Sequence, residues 1–181
     1  MRPTSLFLLA FVAVPALAQS PMTTTATHAA GHASAVADIR AQWKGASANV
    51  LQTAIDVPED KYSYKPTADV RTFGELFGHL AGSQSMFCAI ALGEKPPAED
   101  AVTAKTKAEL IEALKQSDRN CERAYAQTDA AASTNVDVFG AQHTRLYALM
   151  MNALHDGEHY GNLVTYLRMN GMVPPSSKPS K

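Results

Sequence analysis

The chain contains the stretch ALHDGEHYGNLVTYLRMNG at residues 153–171, in which His155 and His159 stand four positions apart. On an α-helix, side chains at positions i and i+4 lie on the same face, one above the other. A third histidine, His79, stands far upstream in the stretch RTFGELFGHLAGSQ, residues 71–84. If a neighbouring helix brings His79 to this face, three imidazole nitrogens can hold a metal and leave coordination positions open for chemistry.

Hydrophobic periodicity predicts four helices and no convincing strand. The helices are expected from about residue 35 to Val57, from Thr72 to Gly93, from Thr106 to about Gln127, and from about Gln142 to Met169. Capping-box signatures, TFGE and TKAE, begin the second and third helices. A short extended piece near residues 136–139 is only weakly indicated. The pattern therefore predicts an all-α four-helix bundle, a fold that commonly builds metal sites in its core.

The face of the last helix that carries the two histidines has a mixed polar and apolar character. On a helical wheel, His155 and His159 share a sector with Asn152, Asn162 and Tyr166. The opposite sector is apolar and is expected to pack. The histidine face is therefore typical of a pocket lining.

The N-terminus has the pattern of a secretory signal peptide. Arg2 precedes an apolar run over residues 6–14, and the A-x-A sequence at residues 16–18 is a cleavage signal. We therefore predict a signal peptide over residues 1–18, cleaved after Ala18, and a protein exported to the periplasm or secreted. The apolar run is too short to span a membrane, so no membrane anchor is expected.

The rest of the chain divides into three predicted segments. Residues 19–34 are small and polar and are expected to form a flexible leader. The bundle follows over residues 35–175, and residues 176–181 are expected to form a disordered tail. His28 and His32 in the leader also stand four positions apart, but no folded scaffold holds them, so we expect them to be solvated.

Charge and composition narrow the classes of partner. The chain has 16 lysines and arginines and 17 acidic residues, which gives a net charge of −1. Because no basic run is present, binding to nucleic acid or to an anionic membrane is not expected. The expected partner is a small molecule of unknown identity. Bundles also commonly dimerise through an exposed helix face, so a homodimer is a further alternative.

Two cysteines, Cys88 and Cys121, are present, and both fall in apolar helical stretches. In an oxidising compartment they can form a disulfide that joins two helices, and we favour this interpretation. The alternative is a pair of buried thiols that pack as small hydrophobic side chains.

Other polar residues near the histidines have plainer explanations. Glu75 is explained as the capping-box partner of Thr72. Asp156 and Glu158 fall on other faces of the last helix, where a solvated charge is the default expectation. His143 is expected at a helix start or on the surface. The catalytic residues therefore stay unknown, and no organic cofactor site is predicted.

Two phrases, RTFGELFGHLAG at residues 71–82 and HDGEHYGNLVTYLRMNGMVPPSS at residues 155–177, resemble the DinB/YfiT-like family. The resemblance runs from about residue 36 to 177. It implies an up-down-down-up four-helix bundle in which a divalent cation is held by His79, His155 and His159. Family members have been associated with Zn, Ni, Mn or Fe, and imidazole ligands favour Zn or Ni.

Three functional hypotheses follow. The first is an exported metal-dependent enzyme, a hydrolase or transferase, that acts on a small molecule. Some members of the family are thiol-dependent S-transferases, but an exported chain would lack a dependable supply of reduced thiol. The second is a non-catalytic protein that binds a metal or a small ligand. The third is a bundle whose histidines only hydrogen-bond to one another.

Overall fold

The computed structural model describes residues 34–97 and 103–179. The predicted signal peptide, residues 1–18, and the predicted leader up to residue 33 lie outside these residues. Export and cleavage after Ala18 therefore stay predictions. Among the described helices, none has the length and hydropathy of a membrane span.

Long α-helices form the body of the described chain. They are α1 (Ala35–Asp56), α2 (Phe73–Leu92), α3 (Lys107–Ala124) and α5 (Arg145–Met169), and the one-turn helix α4 (Asp129–Ala132) precedes the last of them. Helix α2 packs against α3 and α5, and α1 packs against α5 and α3. This arrangement confirms the predicted all-α bundle.

Side-chain pairs give the directions of the helices. Gln84 and Cys88 of α2 contact Ser117 and Cys121 of α3 in the same order, so α2 and α3 are parallel. Helices α2 and α5 are antiparallel, because Phe73 contacts Tyr166 whereas the later Phe87 contacts the earlier His155. Trp43 of α1 contacts Gln84, and the later Val50 lies beside the earlier Leu80, so α1 is antiparallel to α2. These directions give the up-down-down-up order that the family resemblance implies.

A β-hairpin precedes α5, where the sequence showed no convincing strand and only a weakly indicated extended piece near residues 136–139. Strand β1 (Asn135–Val138) pairs antiparallel with β2 (Ala141–Thr144). The two turn residues, Phe139 and Gly140, have positive φ values of 55° and 87°. A two-residue turn of this kind matches the twist of the paired strands. Four-residue strands are too short to give a clear alternating pattern, so the sequence only weakly indicated them.

Two helix boundaries differ from the predicted ones. Helix α5 begins at Arg145, because the Thr144 side chain accepts a hydrogen bond from the Tyr147 backbone amide and residues up to 144 belong to β2. The predicted start near Gln142 was therefore too early. Helix α3 ends at Ala124, before the predicted Gln127.

Part of the segment predicted as a disordered tail contacts the bundle. Residues Pro175–Ser177 form a single 3-10 turn. The Ser176 backbone amide donates to the Tyr160 hydroxyl at 3.0 Å, and Lys178 forms an ion pair with Asp56 of α1 at 2.7 Å. These contacts place the tail up to residue 179 against the helices.

A series of buried hydrogen bonds links α1, α2 and α3 in the core. The Trp43 indole N–H of α1 donates to the Gln84 side-chain oxygen of α2 at 2.7 Å. The Gln84 amide nitrogen donates in turn to Ser117 and Asp118 of α3 at 2.7 and 2.8 Å. Trp43 also stacks on Tyr125, with ring centroids 4.5 Å apart. Because these polar groups are buried, mispairing the helices would leave them without partners.

The favoured disulfide between Cys88 and Cys121 is present, so the alternative of two free thiols is wrong. Their Cα atoms are 5.2 Å apart, within the range that a disulfide spans. Both cysteines are fully buried in the core. The bond therefore joins the two parallel helices α2 and α3 near their C-terminal ends.

Replacing both cysteines, Cys88→Ala with Cys121→Ala, is expected to lower the free energy of unfolding by about 3 kcal/mol, because the bond closes a loop of about 33 residues in the unfolded chain. Urea unfolding followed by circular dichroism measures the change. Reductant should lower the midpoint of the unaltered protein and leave that of the double variant unchanged. A double variant as stable as the unaltered, oxidised protein would contradict the prediction.

Candidate metal centre

Helices α2 and α5 bring the three predicted histidines together. The Nε2 atom of His79 lies 3.0 Å from Nε2 of His155 and 3.1 Å from Nε2 of His159. One nitrogen from each ring falls within 4.8 Å of the others. Nitrogens bound tetrahedrally to zinc are about 3.3 Å apart, given Zn–N bonds of about 2.05 Å. The two distances from His79 are therefore close to the spacing that one metal ion requires, and the role of the three histidines as ligands stays a prediction.

The three imidazole rings meet edge to face. The His79 ring is nearly perpendicular to the His159 ring, at 88°, and the His155 and His159 rings meet at 87°. His79 and His155 are half-buried, whereas His159 is buried, with 9 % of its surface exposed. The centre is thus anchored in the protein on one side and open on the other.

Burial lowers the pKa of His159, and the neighbouring His155 adds to this effect. A cation costs more free energy to desolvate than a neutral ring, so the uncharged imidazole is favoured in this position. A neutral imidazole is the form that binds a metal. The environment of His159 therefore favours the protonation state that a ligand needs.

Asn162 contacts the far side of the His159 ring. Its side-chain amide nitrogen lies 3.3 Å from Nδ1 of His159. A side-chain amide can turn either its nitrogen or its oxygen to a neighbour. With the oxygen facing the ring, Asn162 accepts a hydrogen bond from Nδ1–H and leaves the Nε2 lone pair for a metal. The helical wheel placed Asn162 on the histidine face but did not identify this contact.

The start of α2 is fixed by the predicted capping box. The Thr72 hydroxyl accepts a hydrogen bond from the Glu75 backbone amide at 3.2 Å, and the Glu75 carboxylate accepts one from the Thr72 amide at 2.7 Å. These hydrogen bonds lower the pKa of Glu75. The prediction that Glu75 serves as a capping residue is confirmed.

An open cleft of about 1620 Å³ reaches the histidines from the surface. His79, His159 and Asn162 line it together with Arg71 and Tyr166. The Tyr166 hydroxyl donates to the backbone carbonyl of Arg71 at 3.0 Å, which ties the segment before α2 to α5. A small molecule can therefore reach the imidazoles of His79 and His159 through this cleft.

His143, the remaining histidine among the described residues, is not part of this group. His143 belongs to β2 and stacks on the Tyr147 ring, with centroids 4.0 Å apart. It is half-buried just before α5, close to the position expected for it. His28 and His32 lie outside the described residues.

Asp156 corrects the expectation of a solvated charge. Only 2 % of its surface is exposed, and its Oδ2 atom has no hydrogen-bond partner among the described residues. Burial and the nearby charge of Asp118 raise the pKa of Asp156 well above its ordinary value. Helix α5 has neighbours on two sides, α1 as well as α2, so a residue about 100° from the histidine face is still buried. Glu158, by contrast, is exposed as expected.

Fold and site define a helical bundle with a three-histidine centre between two antiparallel helices. Residues 42–163 match the family model described as the DinB superfamily, and the chain belongs to this superfamily. None of the curated proteins matches the chain.

Three solved structures share the fold. A DinB-like protein from Bacillus subtilis is 24 % identical, with a TM-score of 0.63 over 79 % of this chain and 99 % of that one. A DinB-like protein from Bacillus cereus is 15 % identical, with a TM-score of 0.66 over 76 % and 93 % of the two chains. A protein assigned to the DinB family from Exiguobacterium sibiricum is 20 % identical, with a TM-score of 0.62 over 78 % and 95 %. At these identities the likeness concerns the fold.

Asp156→Asn is expected to raise the free energy of unfolding of the metal-free protein at pH 7, by about 1–3 kcal/mol. The folded-state pKa of Asp156 lies above the unfolded value of 3.8. The unaltered protein therefore loses stability as the pH rises from about 4 through that raised pKa, and a neutral Asn does not. The gain should be large at neutral pH and small near pH 4.

Urea unfolding in the presence of a chelator, at pH 4 and at pH 7, measures this difference. Glu158→Gln is the matched control, because it removes an exposed carboxylate from the same helix. Destabilisation by Asp156→Asn at pH 7, or an equal effect at the two pH values, would contradict the prediction.

Proposed function

We propose that this protein is exported and binds one divalent metal ion, Zn or Ni by ligand preference and otherwise Mn or Fe, through His79, His155 and His159. We further propose that it uses the metal in hydrolysis of a small molecule or in group transfer to one. The observation that carries the proposal is the convergence of three Nε2 atoms, with His79 and His159 lining an open cleft. Three protein nitrogens leave at least one coordination position for water or substrate.

Hydrogen bonding alone explains this cluster less well than metal binding. The Nε2 atom of His79 lies within 3.1 Å of two other Nε2 atoms. A neutral imidazole nitrogen offers either one lone pair or one N–H in the ring plane, so it cannot serve both neighbours well. A cation at the common point accepts all three lone pairs together. This favours metal binding over the hypothesis of mutually hydrogen-bonded histidines.

The chemistry supplied by a bound divalent metal is Lewis acidity, which polarises a substrate oxygen or lowers the pKa of bound water. The chain contributes the geometry and the protonation states. Asn162 orients the His159 ring, burial keeps that ring neutral, and the cleft admits the substrate.

The disulfide between Cys88 and Cys121 supports the proposed export, because such bonds persist in oxidising compartments. The same environment disfavours a thiol-dependent transferase, which needs a reduced thiol substrate. We therefore rank hydrolysis above S-transfer.

Non-catalytic binding of a metal or small ligand is the second candidate. The Glu75 carboxylate, the acidic group nearest His79 along α2, is engaged in its capping box. It is therefore poorly placed to act as a general base. A screen of zinc-loaded protein for hydrolysis of ester, amide and phosphate substrates separates the two candidates. Turnover that disappears in His155→Ala would exclude the binding-only function.

His159→Ala is expected to abolish stoichiometric metal binding. The unaltered mature protein should be purified without added affinity histidines. After dialysis it should carry close to one metal ion per chain, because three imidazole ligands bind the ion together. Removing one leaves two ligands and an unfilled centre. Elemental analysis by mass spectrometry measures the content.

His143→Ala is the matched control for that measurement, because His143 lies outside the cluster, and this variant should keep its metal. Full occupancy in His159→Ala, or no metal in the unaltered protein after reconstitution with Zn and Ni, would contradict the proposal.

Asn162→Ala is expected to weaken zinc affinity by about 10-fold or more, because the His159 ring loses the partner that sets its orientation and tautomer. Competition with a chromophoric chelator measures the dissociation constant. Thr165→Ala is the control, since Thr165 is exposed on the same helix and donates to the Gly161 carbonyl instead. Equal zinc affinities in the two variants would contradict the role of Asn162 in positioning the His159 ring.

A further inference from the structure

The hairpin places an exposed aromatic ring near the histidine centre. Phe139, at the hairpin turn, is 68 % exposed. Its ring meets the Phe87 ring edge to face, with centroids 5.9 Å apart. Phe87 in turn lies 5.8 Å from the ring of His155 and is only 5 % exposed. Phe139 is therefore separated from a candidate metal ligand by a single buried ring.

Phe139 is also held in an unfavourable backbone conformation. It is the one non-glycine residue with positive φ among the described residues, at 55°. A bulky side chain rarely adopts this region, and Asn is the usual residue before Gly in such a hairpin turn. The turn itself is already supported by Asp137, whose carboxylate accepts the Gly140 amide at 3.0 Å.

Neither turn formation nor core packing explains the choice of Phe at position 139. Turn geometry favours Asn there, and a core residue would not leave two thirds of its surface in solvent. Residues kept in spite of local strain cluster at functional sites. Ring contacts run from Phe139 through the Phe87 ring to His155 and so connect the exposed ring to the histidine centre.

We propose that Phe139 is a specificity-determining residue for the ligand of this centre. Together with the edge of Phe87, its ring forms an apolar wall beside His155. The ligand class is then a small molecule with a polar, metal-binding head and an apolar substituent that lies against this wall. The inference rests on the proposed metal-binding function, and it identifies which part of the ligand is recognised on the hairpin side.

Two hydroxamates with the same metal-binding head test the wall. Acetohydroxamate carries one methyl group, and hexanohydroxamate adds four methylenes. Each is titrated into zinc-loaded protein by calorimetry, with zinc content checked afterwards. The unaltered protein should bind hexanohydroxamate about 10-fold or more tightly than acetohydroxamate, because part of the longer chain is buried against Phe139.

Phe139→Asn is the decisive variant. Asn tolerates positive φ, so the hairpin should keep its structure and the unfolding midpoint should be unchanged or higher. Acetohydroxamate affinity should stay the same, and the preference for hexanohydroxamate should fall below about 3-fold. Phe139→Gly, which also fits the turn, should behave alike. Val173→Asn, at a residue 58 % exposed after α5, controls for loss of apolar surface in general and should keep the preference.

Each contrary outcome has a distinct meaning. Equal affinity of the unaltered protein for the two hydroxamates would contradict the role of Phe139 and leave the proposed metal binding intact. An unchanged preference for hexanohydroxamate in Phe139→Asn would do the same. A protein that holds no zinc or binds neither hydroxamate overturns the proposed function, and the wall with it. If Phe139→Asn alters only the sedimentation coefficient, the ring serves self-association and the proposal fails.

Discussion

The antiparallel packing of α2 against α5 is the constraint on which the candidate site depends. Phe73 contacts Tyr166 at one end of the pair, and Phe87 contacts His155 toward the other. His79 lies between these contacts, beside His155 and His159. A slip of one residue in α2 would rotate His79 by about 100° and remove its nitrogen from the cluster. The site therefore requires this one register.

The opposite face of α2 explains how the register is held. Cys88 stands nine positions after His79, which is about half a revolution around the helix. It is covalently joined to Cys121 of α3, and Gln84 hydrogen-bonds to both α1 and α3. Directional buried bonds tolerate little sliding, whereas apolar contacts alone tolerate more. The contacts of Cys88 and Gln84 thus fix the position of α2, and this holds His79, on the opposite face, beside α5.

Two local features are unfavourable for stability, and both lie near the histidine centre. Asp156 is a buried carboxylate next to His155 in the chain, and Phe139 has a strained backbone one ring away from it. Elsewhere, side-chain caps begin α1, α2 and α3 as the local rules predict. Among the described residues, Arg40, Arg145 and Asn152 each also have one buried side-chain atom without a hydrogen-bond partner. The strained backbone of Phe139 and the buried carboxylate of Asp156 are the departures nearest the histidine centre, and they are consistent with function, not stability, shaping that region.

The sequence by itself determined the long helices, their capping boxes and the histidine face of the last helix, because these depend on periodicity and on contacts within a few residues. It also favoured the disulfide, but the pairing required the parallel packing of α2 on α3. Only the tertiary structure decided the hairpin at Phe139 and the burial of Asp156. The family resemblance implied the grouping of His79 with His155 and His159, and the tertiary structure brings these three residues together. Those features depend on which helices are neighbours, and helical periodicity carries no information about contacts between distant segments.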